Sequence, residues 1–95
     1  MKIKLERTDD YKAQRKALGT SARIALFYVE QAIKSNPDDP PGFGYRRYHI
    51  PELETTVTVV ENGGLLVGFH RIGSAVVSMD MALDRRRGAD WYSRD

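Results

Sequence analysis

The sequence predicts an α+β domain in which an N-terminal strand and a two-helix hairpin pack on one face of a twisted antiparallel sheet. The sheet prediction rests on residues 54–87, where three runs rich in Val, Leu and Thr are separated by Glu61-Asn62-Gly63-Gly64 and by Gly73-Ser74. Asn-Gly between apolar runs indicates a hairpin, because tight turns need residues that tolerate a positive φ. The helical prediction rests on apolar residues at helical spacing in residues 21–35. We therefore expect the three runs to close the sheet as a three-stranded antiparallel meander.

The amino-acid composition limits the classes of protein that are possible. With 95 residues, 41% of them hydrophobic and 29% charged, the chain is expected to form one domain with a single core. The absence of cysteine excludes disulfides and thiolate metal ligands. No apolar segment approaches the ~20 residues that span a bilayer, and the first ten residues contain no signal-peptide core. The expectation is a cytoplasmic protein with no membrane partner.

A strand and a short helix are expected at the N-terminal end. Residues 2–6 alternate polar and apolar side chains, which is the pattern of a short strand. Thr8 is a suitable N-cap for a helix over residues 9–18, because its hydroxyl can accept a bond from a free backbone N–H. Gly19 is expected to end this helix.

The second helix is expected over residues 21–35, with Thr20 or Ser21 as its cap. Asn36-Pro37 ends it, since proline cannot continue the helical hydrogen-bond ladder. One stripe of apolar residues follows the spacing i, i+3, i+4, i+7: Ala22, Ala25, Leu26, Val29, Ala32 and Ile33.

Three large apolar residues of the second helix, Ile24, Phe27 and Tyr28, lie outside that stripe. A helix that is apolar on more than one side must be covered on more than one side. Either the first helix and the N-terminal strand cover these residues, which is the commoner arrangement, or a partner protein does.

The length of the first hairpin turn decides which side chains of the meander face the helices. A three-residue loop, Asn62-Gly63-Gly64, gathers the apolar positions on the helix-covered face. A two-residue turn would instead place odd positions of one strand beside even positions of the next. We predict the three-residue loop and the following core set: Val57, Val59, Leu65, Val67, Phe69, Val77, Met79, Met81 and Leu83. The other face, with His70, would stay open as a binding groove or as an ordinary solvated sheet face.

Aromatic and basic residues interleave in residues 43–51, before the meander. Arg46, Arg47 and Tyr48 in this segment, together with Arg87, are candidates for RNA binding, because tyrosine stacks on bases and arginine pairs with phosphates. The same pattern is typical of an amphipathic strand with packed tyrosines and solvated arginines.

The residue inventory supports chemistry without a metal or cofactor. His49 and His70 are the only histidines, and no carboxylate lies at a ligand interval from either. RNA cleavage through the 2′-hydroxyl needs a proton acceptor, a proton donor and cations for the anionic transition state. Arg71, Arg85 and Arg86 are candidates for the cations, and Tyr92 or His70 for proton transfer. His70 is otherwise a partly buried strand residue with no catalytic role.

The order strand, helix, helix, proline-bearing loop and meander, followed by arginine and a nearby tyrosine, resembles the RelE/ParE toxin superfamily of bacterial toxin–antitoxin systems. The similarity lies in the Asn36-Pro37 helix end, in the closing strands over residues 57–86, and in Arg85 or Arg86 followed by Tyr92. The family's arginine near the start of the penultimate strand is absent here, and Arg71 stands at that strand's other end. Its mid-chain lysines are also absent, with Arg46 and Arg47 as the nearest substitutes.

The resemblance implies a toxin of a type II toxin–antitoxin system, acting as a ribosome-dependent mRNA endonuclease. Its partners would be the ribosome, mRNA and a cognate antitoxin protein that covers Ile24, Phe27 and Tyr28 or the open sheet face. The family also contains ParE-like inhibitors of DNA gyrase, which bind a protein and need no catalytic groups. A RelE-fold binding module without toxicity is the third alternative.

Overall fold

The computed structural model describes residues 2–85, which form an α+β fold with two helices on one face of a five-stranded sheet, as predicted. A single 3₁₀ turn, Pro51–Leu53, joins the second strand to the third. The elements follow the chain in this order: β1 (Lys4–Arg7), α1 (Asp9–Ala17), α2 (Thr20–Ser35), β2 (Gly44–Ile50), β3 (Thr55–Asn62), β4 (Leu65–Arg71) and β5 (Val76–Asp84).

The sheet has the strand order β1-β5-β4-β3-β2. The predicted meander is present as β3, β4 and β5, and β2 extends it at one edge by pairing antiparallel with β3. At the other edge β1 runs parallel to β5, with Lys4 opposite Val76. The sheet is therefore mixed rather than purely antiparallel. The helical hairpin carries the chain from the edge strand β1 to the opposite edge strand β2.

The two helices begin in different ways. The Thr8 hydroxyl accepts a hydrogen bond from the Tyr11 N–H at 3.2 Å, which confirms the predicted cap of α1. The N-cap of α2 is Gly19 and makes no side-chain hydrogen bond, so the predicted cap at Thr20 or Ser21 is wrong. Leu18 and Gly19 are both extended, and this tight reversal starts α2 at Thr20.

The core lies between the helices and one face of the sheet. The predicted stripe of α2 packs on β3 and β4, while α1 packs on β5. Burial of large apolar side chains contributes ~1.5–3 kcal/mol each, so this layer holds the fold together. Its largest fully buried apolar members are Tyr11, Leu26, Val29, Ile33, Val60, Leu65, Val67, Phe69, Val77 and Met79.

The first hairpin turn has two residues, and the predicted three-residue loop is wrong. Asn62 pairs with Leu65, which leaves only Gly63 and Gly64 in the turn, with φ of 58° and 96°. Two positive φ values in succession are what a tight hairpin of this length requires. The Asn62 side chain donates to the carbonyl of Ala25 in α2 at 3.1 Å, which ties this end of β3 to the helix.

This register reverses the predicted faces of β3. Val60 and Thr58 are buried under the helices, at 0% and 6% exposure, whereas Val57 and Val59 lie half-buried on the other face. Parity along the strand follows from the loop length, so one residue fewer in the turn moves every side chain of β3 across the sheet.

A β-bulge in β5 changes the faces a second time. Gly68 pairs with Met81 but Phe69 pairs with Met79, so Asp80 is an extra residue without a partner across the strand. Beyond the bulge Ala82 is buried and Met81 turns away from the core, with Leu83 44% exposed. The prediction that Met81 and Leu83 belong to the core is therefore wrong.

Candidate active site on the uncovered sheet face

One face of the sheet is covered by no helix of residues 2–85, and we call it the open face. A shallow groove crosses it from β2 towards the end of β5. Two arginines and an exposed tyrosine border an apolar floor in this groove. Its lining includes Arg46, Tyr48, Val59, Glu61, Leu66, Met81 and Arg85.

Strand pairing explains why these residues share the groove. Arg46 lies opposite Val59 on β3, Val59 lies opposite Gly68 on β4, and Gly68 lies opposite Met81 on β5. Gly68, in the middle of this row, has no side chain, so Met81 can pack closely beside it. A Cβ at position 68 would stand only 3.3 Å from the Cβ of Met81. A larger residue would push Met81 outwards and deform the floor of the groove.

Arg85 stands at the end of the groove next to the first hairpin turn. Its backbone N–H donates to the carbonyl of Gly64 at 2.6 Å, which fixes its Cα beside the turn. Its guanidinium lies 3.3 Å from the carboxylate of Glu61 and remains 65% exposed. An exposed ion pair of this kind is weak, so the guanidinium can exchange Glu61 for a phosphate.

A histidine held by a carboxylate lies on the open face beside the groove. His70 Nδ1 is 2.6 Å from Asp80 Oδ2, and the Ser78 hydroxyl donates to Asp80 Oδ1 at 2.7 Å. Ser78 lies opposite His70 across β4 and β5, and Asp80, two residues further along β5, lies on the same face as Ser78. We call them the His70–Asp80–Ser78 chain.

Two of the predicted arginines lie on the other side of the sheet. Arg47 stacks on the ring of Tyr45 at 5.0 Å and donates to the carbonyl of Asp38. Arg71 Nη1 is 2.7 Å from Asp38 Oδ2, and the same guanidinium donates to the carbonyls of Gly73 and Ser74. Both therefore hold the loop after α2 and contribute nothing to the groove. Their neighbours Arg46 and His70 point the opposite way because side chains alternate along a strand.

The remaining predicted site residues have different positions. Arg86, Arg87 and Tyr92 lie outside the described residues. Ile24, Phe27 and Tyr28 are 55%, 56% and 58% exposed, so the expectation that α1 and β1 cover them is wrong. The reason is that α1 packs on β5 and leaves the outer side of α2 to solvent.

The sequence prediction missed a buried ion pair between β1 and the two helices. Glu30 is 4% exposed and accepts hydrogen bonds from Arg7 Nη2 at 2.8 Å, Arg7 Nε at 3.3 Å and the Tyr11 hydroxyl at 2.5 Å. Burial raises the pKa of Glu30, but the bonds from Arg7 and Tyr11 outweigh burial and hold that pKa below its usual value. Burial, together with the bond to Glu30, raises the pKa of Tyr11. The sequence does contain an indication that Glu30 is buried. It lies four residues after Leu26 and three before Ile33, which places it on the buried side of α2.

Asp80 and Ser78 were also absent from the predicted site. Their signal in the sequence is a Ser-x-Asp pair inside an otherwise apolar run, which places two polar groups on one face of a regular strand. Only the register of β5 against β4 shows that both lie next to His70.

Comparison of the chain with protein-family models, curated proteins and solved structures finds no match. Within residues 2–85, no helix has the length and apolar character needed to cross a membrane. The same part of the chain contains no group of three or more His, Cys, Asp or Glu side chains placed to hold a metal ion.

Proposed function

We propose that this chain is the toxin of a type II toxin–antitoxin system and cleaves mRNA on translating ribosomes. The groove on the open face carries the proposal, because it combines Arg46, Arg85 and the exposed ring of Tyr48 around an apolar floor. The resemblance of the sequence to the RelE/ParE superfamily supplies the reaction class.

Each part of the groove matches a part of single-stranded RNA. Guanidinium groups pair with phosphates, and an exposed tyrosine ring stacks on an unpaired base. RNA cleavage passes through a phosphorane-like transition state with added negative charge, which Arg46 and Arg85 would stabilise. Proton transfer falls to His70, which lies beside the groove, or to Tyr92.

The test is expression of the chain in growing bacteria, followed by mapping of mRNA 5′ ends on translating ribosomes. The wild type should produce new ends within coding regions. Arg46→Ala and Arg85→Ala should each lower cleavage by about 10- to 100-fold, the worth of one hydrogen-bonded charge contact. Arg23→Ala is the matched control, because Arg23 is an exposed arginine of α2 on the other side of the sheet, and it should cleave like the wild type.

A parallel assay for gyrase-dependent DNA breaks separates the alternatives. Breaks with intact mRNA would contradict the nuclease and favour a ParE-like inhibitor of DNA gyrase. Neither breaks nor mRNA cleavage would contradict both toxin activities and leave a binding module.

The proposal includes a cognate antitoxin that covers the exposed side of α2. Ile24, Phe27 and Tyr28 form an apolar patch, and the rings of Phe27 and Tyr28 meet edge to face with centroids 5.6 Å apart. A cleft nearby is lined by basic side chains, and none of them forms a salt bridge within residues 2–85: Lys12, Arg15, Lys16 and Arg23. This combination favours an antitoxin segment with apolar side chains flanked by acidic ones.

Co-expression with the small reading frame adjacent to that of the chain tests the antitoxin. The neighbour should restore growth to cells that express the wild type, and Phe27→Asp should stay toxic in its presence. Phe27→Ala is the milder companion variant, and it should weaken rescue without abolishing it. Full rescue of Phe27→Asp would exclude this patch as the docking site.

A further inference from the structure

We propose that His70 is the general base of the cleavage reaction and that Asp80, on the neighbouring strand β5, is the residue that positions it. This assignment rests on the proposed nuclease function and adds the identity of the proton acceptor. It gives the His70–Asp80–Ser78 chain a chemical role. On an ordinary solvated sheet face these three residues would have none.

The hydrogen bonds within the His70–Asp80–Ser78 chain determine which nitrogen of His70 accepts a proton. The carboxylate of Asp80 accepts only, so the Nδ1 that lies 2.6 Å from it carries the hydrogen. The neutral imidazole then has its lone pair on Nε2. No hydrogen bond to Nε2 is formed by residues 2–85, and the side chain of His70 is 25% exposed. The free lone pair is therefore open to a ligand on the open face.

Ser78 holds the second oxygen of the same carboxylate. Its hydroxyl donates to Asp80 Oδ1 at 2.7 Å and is itself buried, with Ser78 only 8% exposed. With one oxygen bound by serine and the other by histidine, the Asp80 carboxylate cannot rotate away without losing both bonds. A base oriented by a carboxylate that a further group fixes is the arrangement that general-base catalysis uses.

The position of His70 suits an RNA strand that lies in the groove. His70 stands two residues along β4 from Gly68, a distance of about 7 Å at the usual rise of a strand. Gly68 belongs to the same row as Arg46 and Met81, and His70 belongs to the row next to it. A phosphate bound by Arg46 would thus have its neighbouring ribose within reach of Nε2.

The reaction is a transesterification that needs no co-reactant. Nε2 of His70 takes the proton of the ribose 2′-hydroxyl, and the 2′-oxygen forms a bond to phosphorus. The bond between phosphorus and the 5′-oxygen breaks, and that oxygen takes a proton from water. The products are a 2′,3′-cyclic phosphate and a 5′-hydroxyl, and His70 afterwards returns its proton to solvent.

Several charged or titratable groups face His70 or lie near it on the open face. Asp80 of β5 bonds to it directly. Further along the rows of the sheet are Lys4 and Glu6 of β1 and Arg46 and Tyr48 of β2. Among these groups of residues 2–85, Asp80 is the one that hydrogen-bonds to the ring, so its replacement should change which nitrogen is protonated.

Single-turnover cleavage of a ribosome-bound mRNA by the purified full chain tests the assignment. His70→Gln should lower the rate by about 10²- to 10⁴-fold, the usual contribution of a general base. Asp80→Asn should lower it by about 10²-fold, because the asparagine amide donates to Nδ1 and moves the ring hydrogen to Nε2. Ser78→Ala should lower it by about 2- to 10-fold, the worth of one neutral hydrogen bond.

His49→Gln is the matched control, because His49 is the other histidine and lies on β2 on the opposite face from Arg46. It should cleave like the wild type. Circular dichroism checks that each variant is folded.

A second measurement does not depend on activity. Nitrogen-15 chemical shifts of the wild-type imidazole should show His70 as the Nδ1–H tautomer at neutral pH and as Nε2–H in Asp80→Asn. The Nε2–H form in the wild type would overturn the assignment. So would a wild type that cleaves mRNA together with a His70→Gln variant within threefold of it, and in that case the nuclease itself would stand. A wild type with no cleavage on the ribosome would overturn both proposals.

Discussion

Two carboxylates, one on each face of the same sheet, accept hydrogen bonds from a basic group and a hydroxyl. On the helix-covered face Glu30 is bound by Arg7 and the Tyr11 hydroxyl, and it is 4% exposed. On the open face Asp80 is bound by His70 and the Ser78 hydroxyl, and its side chain is 27% exposed.

The difference lies in what the basic partner can still do. The donors of Arg7 point at Glu30, and a guanidinium keeps its proton at any physiological pH. His70 binds its carboxylate through one nitrogen and can exchange a proton with solvent through the other. The same pattern of bonds therefore makes a structural pair on the covered face and a candidate catalytic pair on the open one. We expect stability to depend on the first face and activity on the second.

The largest expected effect comes from truncating the core on the covered face. Phe69→Ala should lower the free energy of unfolding by about 3–5 kcal/mol, because Phe69 is 1% exposed between the helices and the sheet. Leu83→Ala on the open face should cost less than about 1 kcal/mol, since Leu83 is 44% exposed. Urea denaturation measures both. Equal costs would show that the open face is covered in solution.

Breaking the buried ion pair should have the next largest effect. Arg7→Met should lower the free energy of unfolding by about 3 kcal/mol, because it leaves Glu30 charged and buried without a cation. Adding Glu30→Leu and Tyr11→Phe to that variant should restore most of the loss, since apolar side chains often replace a buried ion pair at little cost and no buried hydroxyl is then left without its acceptor. Asp80→Asn should cost under about 1 kcal/mol by the same thermal or urea measurement. A cost for Asp80→Asn as large as that for Arg7→Met would contradict the division between the faces.

The pH dependence of stability should follow Glu30. Its pKa is lower in the folded chain than the ordinary 4.5, so the unfolded chain binds more protons in the interval below 4.5. The stabilisation is therefore complete above about pH 5 and is lost as the pH falls through the lowered folded pKa. Urea midpoints between about pH 3 and pH 6 should fall more steeply for the wild type than for Glu30→Gln. Parallel curves for the two proteins would rule out this linkage.

Among the substitutions expected to destabilise the fold, those in the first hairpin turn should have a smaller effect than Phe69→Ala or Arg7→Met. Gly63→Ala should cost about 1–2 kcal/mol, because Gly63 has φ of 58° and a Cβ is unfavourable there even though the site is sterically open. Gly63→Asn should cost less, since asparagine tolerates this conformation better than alanine does. Thermal unfolding measures the two variants. A Gly63→Ala variant as stable as the wild type would mean that the turn can adopt another form.

The sequence predicts the helices and strands of this fold but does not determine which face of the sheet each strand residue occupies. The stripe of α2, the Thr8 cap and the hairpin at Gly63 each follow from local chemistry that a few neighbouring residues determine. The face of a strand depends on the count of turn residues and on the bulge at Asp80, and either one moves side chains across the sheet. Because both turn lengths fit the same residues, alternation of apolar side chains alone favoured the wrong one.

The candidate site was predictable only in part, for the same reason. Arg46, Tyr48, Arg85 and His70 were predicted site residues that lie on the open face, whereas Arg47 and Arg71 bind the loop at Asp38. Adjacent residues of a strand point to opposite sides, so a run of candidate residues in the sequence is always divided by the sheet. Asp80 becomes a neighbour of His70 only through pairing between strands, which no spacing along one strand reveals.

The parallel pairing of β1 with β5 has a consequence for how the protein is made. The Thr8 hydroxyl donates to the carbonyl of Met79, 71 residues away, so β1 finds its partner only when β5 has emerged from the ribosome. Such long-range pairing slows folding, because a large loop must close before its contacts form. The interior strand β5 also supplies Asp80, Ser78 and Met81. Until β5 has been synthesised, a nascent chain has neither a complete sheet nor a complete candidate site, and we expect the proposed activity to arise in one step after that point.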